Sequence, residues 1–225
     1  MCRGVRRAVD TVEAALARFP GRVWVLHEVV HNQHVIAHLK AAGAHFVEEL
    51  SAVPDGAVLI FSAHGVALRV REQAASRDLV LIDATCPLVE RVHHKVRRAG
   101  QEGRDVIVIG HAGHQEVIGT LGQYRGSGRI AVVAREDEVR ALDIDATCAV
   151  IVTQTTLARA DTDPILTALR ARWPGLAPDW HDDVCKATQE RQSAVRDLVA
   201  AGCTVVLIAG SDNSSNSNRL REVAE

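Results

Sequence analysis

Short apolar runs alternate with amphipathic stretches along nearly the whole chain. The apolar runs are rich in β-branched residues and predict strands at 23–26, 57–61, 80–82, 106–109, 130–133, 149–152 and 204–208. The amphipathic stretches predict helices at 6–19, 34–42, 88–99, 164–173 and 188–200. Strands that are apolar throughout and alternate with helices are typical of a parallel sheet covered on both faces. The sequence therefore predicts an α/β fold.

The chain is long enough for more than one domain. Its 225 residues correspond to one large domain or two to three small ones. The Pro- and Gly-containing segment 174–178 predicts one boundary, because these residues interrupt regular structure, and we expect a second boundary near Cys86.

Composition narrows the classes of partner. The net charge of -2 lacks the basic excess that binding to a phosphate backbone requires, which argues against nucleic acid. No apolar run approaches the roughly 20 residues that span a bilayer, and no signal-peptide pattern opens the chain. We therefore expect a cytoplasmic protein with no membrane partner. An odd count of 5 cysteines in such a chain favours metal or catalytic thiols over disulfides.

Three of the cysteines share one local setting. Cys2, Cys86 and Cys185 each stand directly before a predicted helix. The N–H groups and positive dipole end of a helix N-terminus favour thiolate over thiol, so we expect these sulfurs to bind metal. A closed iron–sulfur or zinc site takes four ligands, so three thiolates on one centre would leave a position for substrate. Cys148 and Cys203 begin apolar runs and are predicted to be buried packing residues.

Polar residues follow most of the predicted strands. His31, His64 and His114 each lie in a loop after a strand, where ligands bind in open parallel sheets. Taken singly, each could be a loop histidine that bonds the backbone; together they favour a site for an anionic group. The fingerprints of a P-loop and of a dinucleotide-binding Rossmann site do not occur in the sequence.

Further candidates lie in the same loops. Glu116 is the carboxyl that could supply a proton, unless it is simply a solvated surface residue. Thr155 either orients a substrate hydroxyl or only ends a strand. Ser214, Ser215 and Asn216 form either a polar turn or a cradle for phosphate.

One short segment matches the sequence motif of zinc proteases. Residues 27–31 read His-Glu-Val-Val-His, which matches H-E-x-x-H. That motif requires both histidines on one face of a helix, whereas this string directly follows a strand and contains two β-branched valines. We therefore reject the protease interpretation.

In combination, the motifs resemble one enzyme family. The strings at 27–32, 61–66, 83–89, 110–114, 153–157 and 213–220 are similar to those of the 4-hydroxy-3-methylbut-2-enyl diphosphate reductases of the methylerythritol phosphate route to isoprenoids. The resemblance implies three small parallel-sheet α/β units, at 1–85, 86–178 and 179–225, arranged around a central cluster. It also implies that the family's first strand and C-terminal part lie outside this sequence, so that the third unit is incomplete.

The same resemblance implies a reaction and a role for each candidate residue. Cys2, Cys86 and Cys185 would hold one [4Fe–4S] cluster per chain, at which an allylic diphosphate loses its hydroxyl to give isopentenyl and dimethylallyl diphosphate. Glu116 would relay protons, and Thr155 would hydrogen-bond the reacting hydroxyl. The diphosphate would be bound by His31, His64, His114, Ser214, Ser215 and Asn216. A small ferredoxin- or flavodoxin-like protein would donate the electrons.

Two other hypotheses remain open at this point. The chain could be a truncated, catalytically poor member of the same family. It could also be a non-catalytic metal-binding or electron-transfer protein that uses the same thiols, in which case its metal centre would not respond to an allylic diphosphate.

Overall fold

The computed structural model describes residues 2–144, 148–176 and 183–225 and consists of helices and parallel strands. The strands are β1 (Val23–Leu26), β2 (His45–Val47), β3 (Val58–Phe61), β4 (Val80–Asp83), β5 (Val106–Ile109), β6 (Ile130–Val133) and β7 (Val150–Thr153). The helices are α1 (Arg3–Arg18), α2 (Gln33–Ala41), α3 (Leu68–Ala75), α4 (Pro87–Gln101), α5 (Gln115–Leu121), α6 (Arg159–Arg172), α7 (Lys186–Ala200) and α8 (Ser215–Ala224).

The strands form two separate parallel sheets. The first has the order β2-β1-β3-β4 and the second the order β6-β5-β7. In each sheet an inner strand without polar residues is buried along its whole length, β3 in the first and β5 in the second. Apolar side chains on both faces of a strand require cover on both sides, which helices provide in a parallel sheet. The prediction of an α/β fold with parallel sheets is confirmed.

Most of the predicted elements are present. Six of the predicted strands correspond to β1, β3, β4, β5, β6 and β7, and the predicted helices correspond to α1, α2, α4, α6 and α7. The short edge strand β2 and the helices α3, α5 and α8 were not predicted. The predicted boundary at 174–178 extends into residues 177–182, which lie outside the described residues.

The predicted strand at 204–208 is wrong. These residues join α7 to α8, and no strand of the described residues pairs with them. Val205 and Leu207 are 75% and 91% exposed. An apolar β-branched run becomes a strand only where a neighbour accepts its backbone hydrogen bonds, and the described part of the chain offers none here.

The predicted burial of Cys148 and Cys203 is also wrong, since both thiols are exposed. Cys148 precedes β7 and lies outside the sheet, while Cys203 leads into the unpaired segment 204–208, so neither is covered by packing.

Among residues 2–144, 148–176 and 183–225, no helix is both long enough and apolar enough to cross a membrane.

Candidate active site

One cavity of about 460 Å³ collects all the candidate residues from distant parts of the chain. Its lining includes the three thiols and three imidazoles, together with the carboxyl, hydroxyl and amide groups singled out in the sequence, namely Cys2, His31, His64, Cys86, His114, Glu116, Thr155, Cys185, Ser214, Ser215 and Asn216. Residues separated by more than 200 positions therefore face one space.

Six of the helices in the described part of the chain begin at this cavity. The residue that caps the N-terminus of each of them lines the cavity wall, and these residues are Cys2 for α1, Asn32 for α2, Cys86 for α4, His114 for α5, Cys185 for α7 and Ser214 for α8. The expectation that each of the three thiols stands at a helix start is confirmed. Each helix start presents N–H groups and the positive end of a dipole. Arg191 is the one permanently charged cation among the described lining residues, so the helix starts supplement a lining that has few cationic side chains.

Backbone hydrogen bonds position the thiols. Cys86 donates its N–H to the carbonyl of Ala63 at 3.0 Å, and Cys185 donates to the carbonyl of Thr155 at 2.8 Å. Cys2 Sγ accepts the N–H of Val5 at 3.4 Å, as a capping side chain does. Each sulfur is thus placed by a different part of the fold.

The thiol of Cys86 differs electrostatically from the sequence-based expectation. Burial raises its pKa, and the backbone N–H groups of Leu88 and Val89 only partly oppose this effect. The thiols of Cys185 and Cys2 raise the pKa further. The prediction that the helix N-terminus favours the thiolate is therefore wrong at Cys86. Desolvation and two neighbouring thiols raise the pKa of this thiol by more than the backbone N–H groups of the helix lower it.

The sulfur positions bear on the kind of metal centre that fits. Within residues 2–144, 148–176 and 183–225, no group of three or more His, Cys, Asp or Glu side chains is close enough to hold a single metal ion. In an iron–sulfur cluster each thiolate binds a different iron, so the ligands stand apart around a shared space. Three thiols that line one cavity without meeting at a point match that requirement.

Gly4 lies where it leaves room for the thiols. A Cβ atom at this position would lie 2.7 Å from Cys86 Sγ and 4.0 Å from Cys2 Sγ. The first distance is shorter than any ordinary contact, so a side chain here would push the Cys86 sulfur away. The absence of a side chain at Gly4 keeps two of the sulfurs near each other.

We expect a Gly4→Ala variant to bind severalfold less iron after anaerobic reconstitution and to lose about 1 kcal/mol of unfolding free energy, because the added methyl group overpacks the site. Iron content and urea unfolding of the reduced apoprotein measure the two effects. Gly175→Ala is the matched control, since a Cβ at Gly175 would have no neighbour within 4 Å. Equal iron content in the two variants would contradict the prediction.

The three histidines form a compact cluster. The ring of His31 stacks on that of His64 with centroids 4.2 Å apart, and His114 meets the two rings edge-on at 5.6 and 5.9 Å. Burial and the neighbouring imidazoles lower the pKa of His64 to about 3 and that of His114 to about 4. Both rings are therefore neutral near pH 7 in the absence of a ligand.

Several polar atoms of the cavity residues are not satisfied by the protein. His114 Nδ1 accepts the N–H of Glu116 at 3.2 Å, so the hydrogen of the neutral ring is on Nε2. This Nε2 atom, His64 Nδ1 and Asn216 Oδ1 are buried and have no hydrogen-bond partner among the described residues. Buried polar atoms are nearly always paired in folded proteins, so these are the atoms that a polar ligand would satisfy.

Glu116 and Thr155 form a buried pair. Glu116 is 3% exposed, and its carboxylate accepts the Thr155 N–H at 2.5 Å and the Thr155 hydroxyl at 3.0 Å. Burial raises the pKa of Glu116 to about 7, although both hydrogen bonds act to lower it. A carboxyl with this pKa can hold or release a proton at neutral pH, which the surface alternative for Glu116 does not provide.

The Ser–Asn segment is anchored by residues to which the sequence analysis gave no role. Ser214 Oγ caps α8 by accepting the N–H of Ser217 at 3.3 Å. Thr156 donates its hydroxyl to Ser215 Oγ at 3.2 Å, and Gln154 Nε2 donates to Thr156 Oγ1 at 2.9 Å. Gln154 and Thr156 flank Thr155 in the polar string after β7, and that adjacency was the signal for their role.

Known proteins match the chain along its full length. The family model of the LytB protein matches residues 1–225. A protein from Psychrobacter arcticus named 4-hydroxy-3-methylbut-2-enyl diphosphate reductase is 52% identical over 227 residues, which cover 100% of this chain and 71% of that relative. A relative of the same name from Azotobacter vinelandii is 52% identical over 227 residues, which cover 100% of this chain and 72% of that relative.

Solved structures agree with these matches. The E-1-hydroxy-2-methyl-but-2-enyl-4-diphosphate reductase from Plasmodium falciparum superposes with a TM-score of 0.93 at 37% identity, covering 100% of this chain and 70% of that one. A second structure, of an (E)-4-hydroxy-3-methyl-but-2-enyl diphosphate reductase described as the terminal enzyme of the non-mevalonate pathway, gives a TM-score of 0.75 at 33% identity, covering 100% of this chain and 78% of that one. With its sequence matched throughout and its fold shared, the chain belongs to the LytB protein family.

Proposed function

We propose that this chain is a reductase that removes the hydroxyl group of 4-hydroxy-3-methylbut-2-enyl diphosphate and releases isopentenyl and dimethylallyl diphosphate. The names of its relatives support this reaction. The observation that carries the proposal is the cavity itself, which combines three thiols, unsatisfied polar atoms and a buried carboxyl of raised pKa. It is the combination of these three features that favours this reaction over others.

The reaction requires a redox group. Replacing an allylic C–OH bond by C–H, with release of water, consumes two electrons and two protons, and ordinary side chains cannot supply the electrons. We propose that Cys2, Cys86 and Cys185 hold one [4Fe–4S] cluster. When bound, the cluster supplies electrons and an iron that acts as a Lewis acid on the leaving oxygen. The electrons come from a ferredoxin- or flavodoxin-like donor in the cytoplasm.

We propose that the diphosphate is bound in the same cavity as the thiols. His31, His64 and His114 offer ring nitrogens, while Ser214, Ser215 and Asn216 offer hydroxyl and amide groups. Helix N-termini around the cavity add backbone N–H groups and favour negative charge. These residues belong to all three of the proposed units, at 1–85, 86–178 and 179–225, so the site is complete only when the units are in place.

Proton delivery uses the buried pair of Glu116 and Thr155. In the structure the Thr155 hydroxyl donates to the Glu116 carboxylate at 3.0 Å. When Glu116 is protonated, this bond can reverse, so that the carboxyl donates to Thr155 Oγ1 and the Thr155 hydroxyl donates to the substrate oxygen. This arrangement keeps a proton next to the oxygen that must leave as water, without admitting bulk solvent.

Anaerobic reconstitution tests the proposal. We expect the chain to bind iron and sulfide, and the absorbance and electron paramagnetic resonance of the product to change when the allylic diphosphate is added. Reduced reconstituted protein should then convert that substrate to the two products. A cluster that does not respond to the diphosphate would support the electron-transfer alternative, and a folded chain that binds no cluster would refute both interpretations.

A further inference from the structure

The carboxylate of Glu28 connects two parts of the chain that meet at the cavity. Its Oε2 atom accepts from His31 Nδ1 at 3.0 Å and from Asn213 Nδ2 at 2.8 Å. Its Oε1 atom accepts from Gln33 Nε2 at 2.9 Å. Glu28 is the acidic residue of the H-E-x-x-H string, and the proposed reaction gives it no role.

The first consequence concerns the ring of His31. A carboxylate only accepts hydrogen bonds, so the contact at 3.0 Å places a hydrogen on His31 Nδ1. Burial acts to raise the pKa of Glu28, but the hydrogen bonds from His31, Asn213 and Gln33, together with the electrostatic attraction of His31, lower it overall and keep the carboxyl ionised. With Nδ1 engaged in this way, Nε2 is the ring nitrogen available to a ligand, and the ring cannot rotate freely.

The second consequence concerns the segment that carries Ser214. Asn213 directly precedes Ser214, and its bond to Glu28 ties the segment to the loop after β1. A parallel contact runs between the same two segments, because the N–H of Gln33 donates to Ser211 Oγ at 3.0 Å. One carboxylate therefore contacts both a histidine and the serine-bearing segment of the cavity.

We propose that Glu28 is a positioning residue, whose carboxylate orients His31 and fastens the Ser214 segment so that both face the same diphosphate. This inference rests on the proposed function, because it assumes that the cavity binds a diphosphate. Glu28 itself does not line the cavity, so it acts through His31 and Asn213.

Binding of inorganic pyrophosphate to the full chain measures the effect without any turnover. We expect Glu28→Ala to bind pyrophosphate roughly 10- to 100-fold more weakly than the parent, which is the range for loss of a charge-assisted hydrogen bond. Glu48→Ala is the matched control. Glu48 accepts from His27 Nδ1 at 2.9 Å, but its side chain is 76% exposed and neither residue lines the cavity. The control should bind pyrophosphate like the parent.

Two further variants separate the roles of the carboxylate. Asn213→Ala removes only the tie to the Ser214 segment, so its loss in affinity should be smaller than that of Glu28→Ala. In a His31→Ala background, Glu28→Ala should have a weaker effect than in the parent, because the imidazole that the carboxylate orients is already gone. Additive losses in this cycle would contradict an action through His31.

The nitrogen-15 chemical shifts of the imidazoles provide a second measurement, which would stay unchanged if Glu28 only stabilised the fold. The parent should show His31 protonated at Nδ1, and Glu28→Gln should shift this resonance, since an amide can donate to the ring as well as accept from it. The His31 signal is assigned by its loss in His31→Ala. The Gln variant also replaces Glu28→Ala in the binding series if the latter fails to fold.

The outcomes distinguish this inference from the proposed function. If the parent does not bind pyrophosphate, the proposed diphosphate site is wrong. If the parent binds it and the Glu28 variants bind equally well with an unchanged His31 resonance, the site stands and the positioning role of Glu28 is refuted.

Discussion

A Cys86→Ser variant is expected to form no iron–sulfur cluster, although its fold should remain intact. Serine has nearly the same shape, but its hydroxyl stays protonated at neutral pH and is a poor ligand for iron. The remaining thiols, Cys2 and Cys185, would leave two irons of the cluster without protein ligands. Anaerobic reconstitution should yield about four irons per parent chain and close to none for the variant.

The other two cysteines provide the control. Cys148 and Cys203 are exposed and do not line the cavity, so Cys148→Ser and Cys203→Ser should retain the iron content of the parent. Circular dichroism shows whether each variant is folded. A folded Cys86→Ser protein that still assembled the full cluster would remove this thiol from the ligand set.

Replacing Glu116 by glutamine is expected to reduce turnover roughly 100- to 10,000-fold while leaving the cluster in place. The glutamine carbonyl can still accept the Thr155 N–H, so the local fold should be preserved. The amide, however, cannot deliver a proton to the Thr155 hydroxyl. Reconstituted parent and variant are compared by product formation with the same artificial reductant, after their iron contents have been matched.

The pH dependence distinguishes loss of a proton donor from general damage. Because burial raises the pKa of Glu116 to about 7, its protonated fraction falls tenfold for each pH unit well above that value. Turnover by the parent should therefore decline as the pH rises through about 7, whereas the residual activity of Glu116→Gln should lack this decline. Full turnover by the variant, or the same pH profile, would remove Glu116 from the mechanism.

Local patterns were sufficient to predict the positions of the thiols. Cys2, Cys86 and Cys185 each precede an amphipathic run, and a helix start depends on only a few adjacent residues. The apolar strands β3 and β5 were equally clear, since an uninterrupted apolar run implies burial on both faces. The convergence of the candidate loops followed from the rule that parallel strands end at one edge.

Features that depend on distant neighbours could not be predicted from such patterns. Residues 204–208 have the composition of a strand. A strand also needs a neighbouring strand to pair with, and the composition of the segment does not show whether one is present. The raised pKa of Cys86 arises from burial and from thiols 84 and 99 residues away in sequence. The contact of Glu28 with Asn213 spans 185 positions and has no local sequence signal.

The convergence of six helix starts on the cavity has a consequence for how the protein tolerates change. Backbone dipoles do not titrate, and replacing a side chain does not delete them. The attraction of an anion to the cavity thus depends partly on the arrangement of the helices, and individual side chains determine how the anion is oriented. Point substitutions around the pocket should therefore weaken or misorient a bound anion, whereas the contribution of the helix starts would be lost only if the helices unfolded.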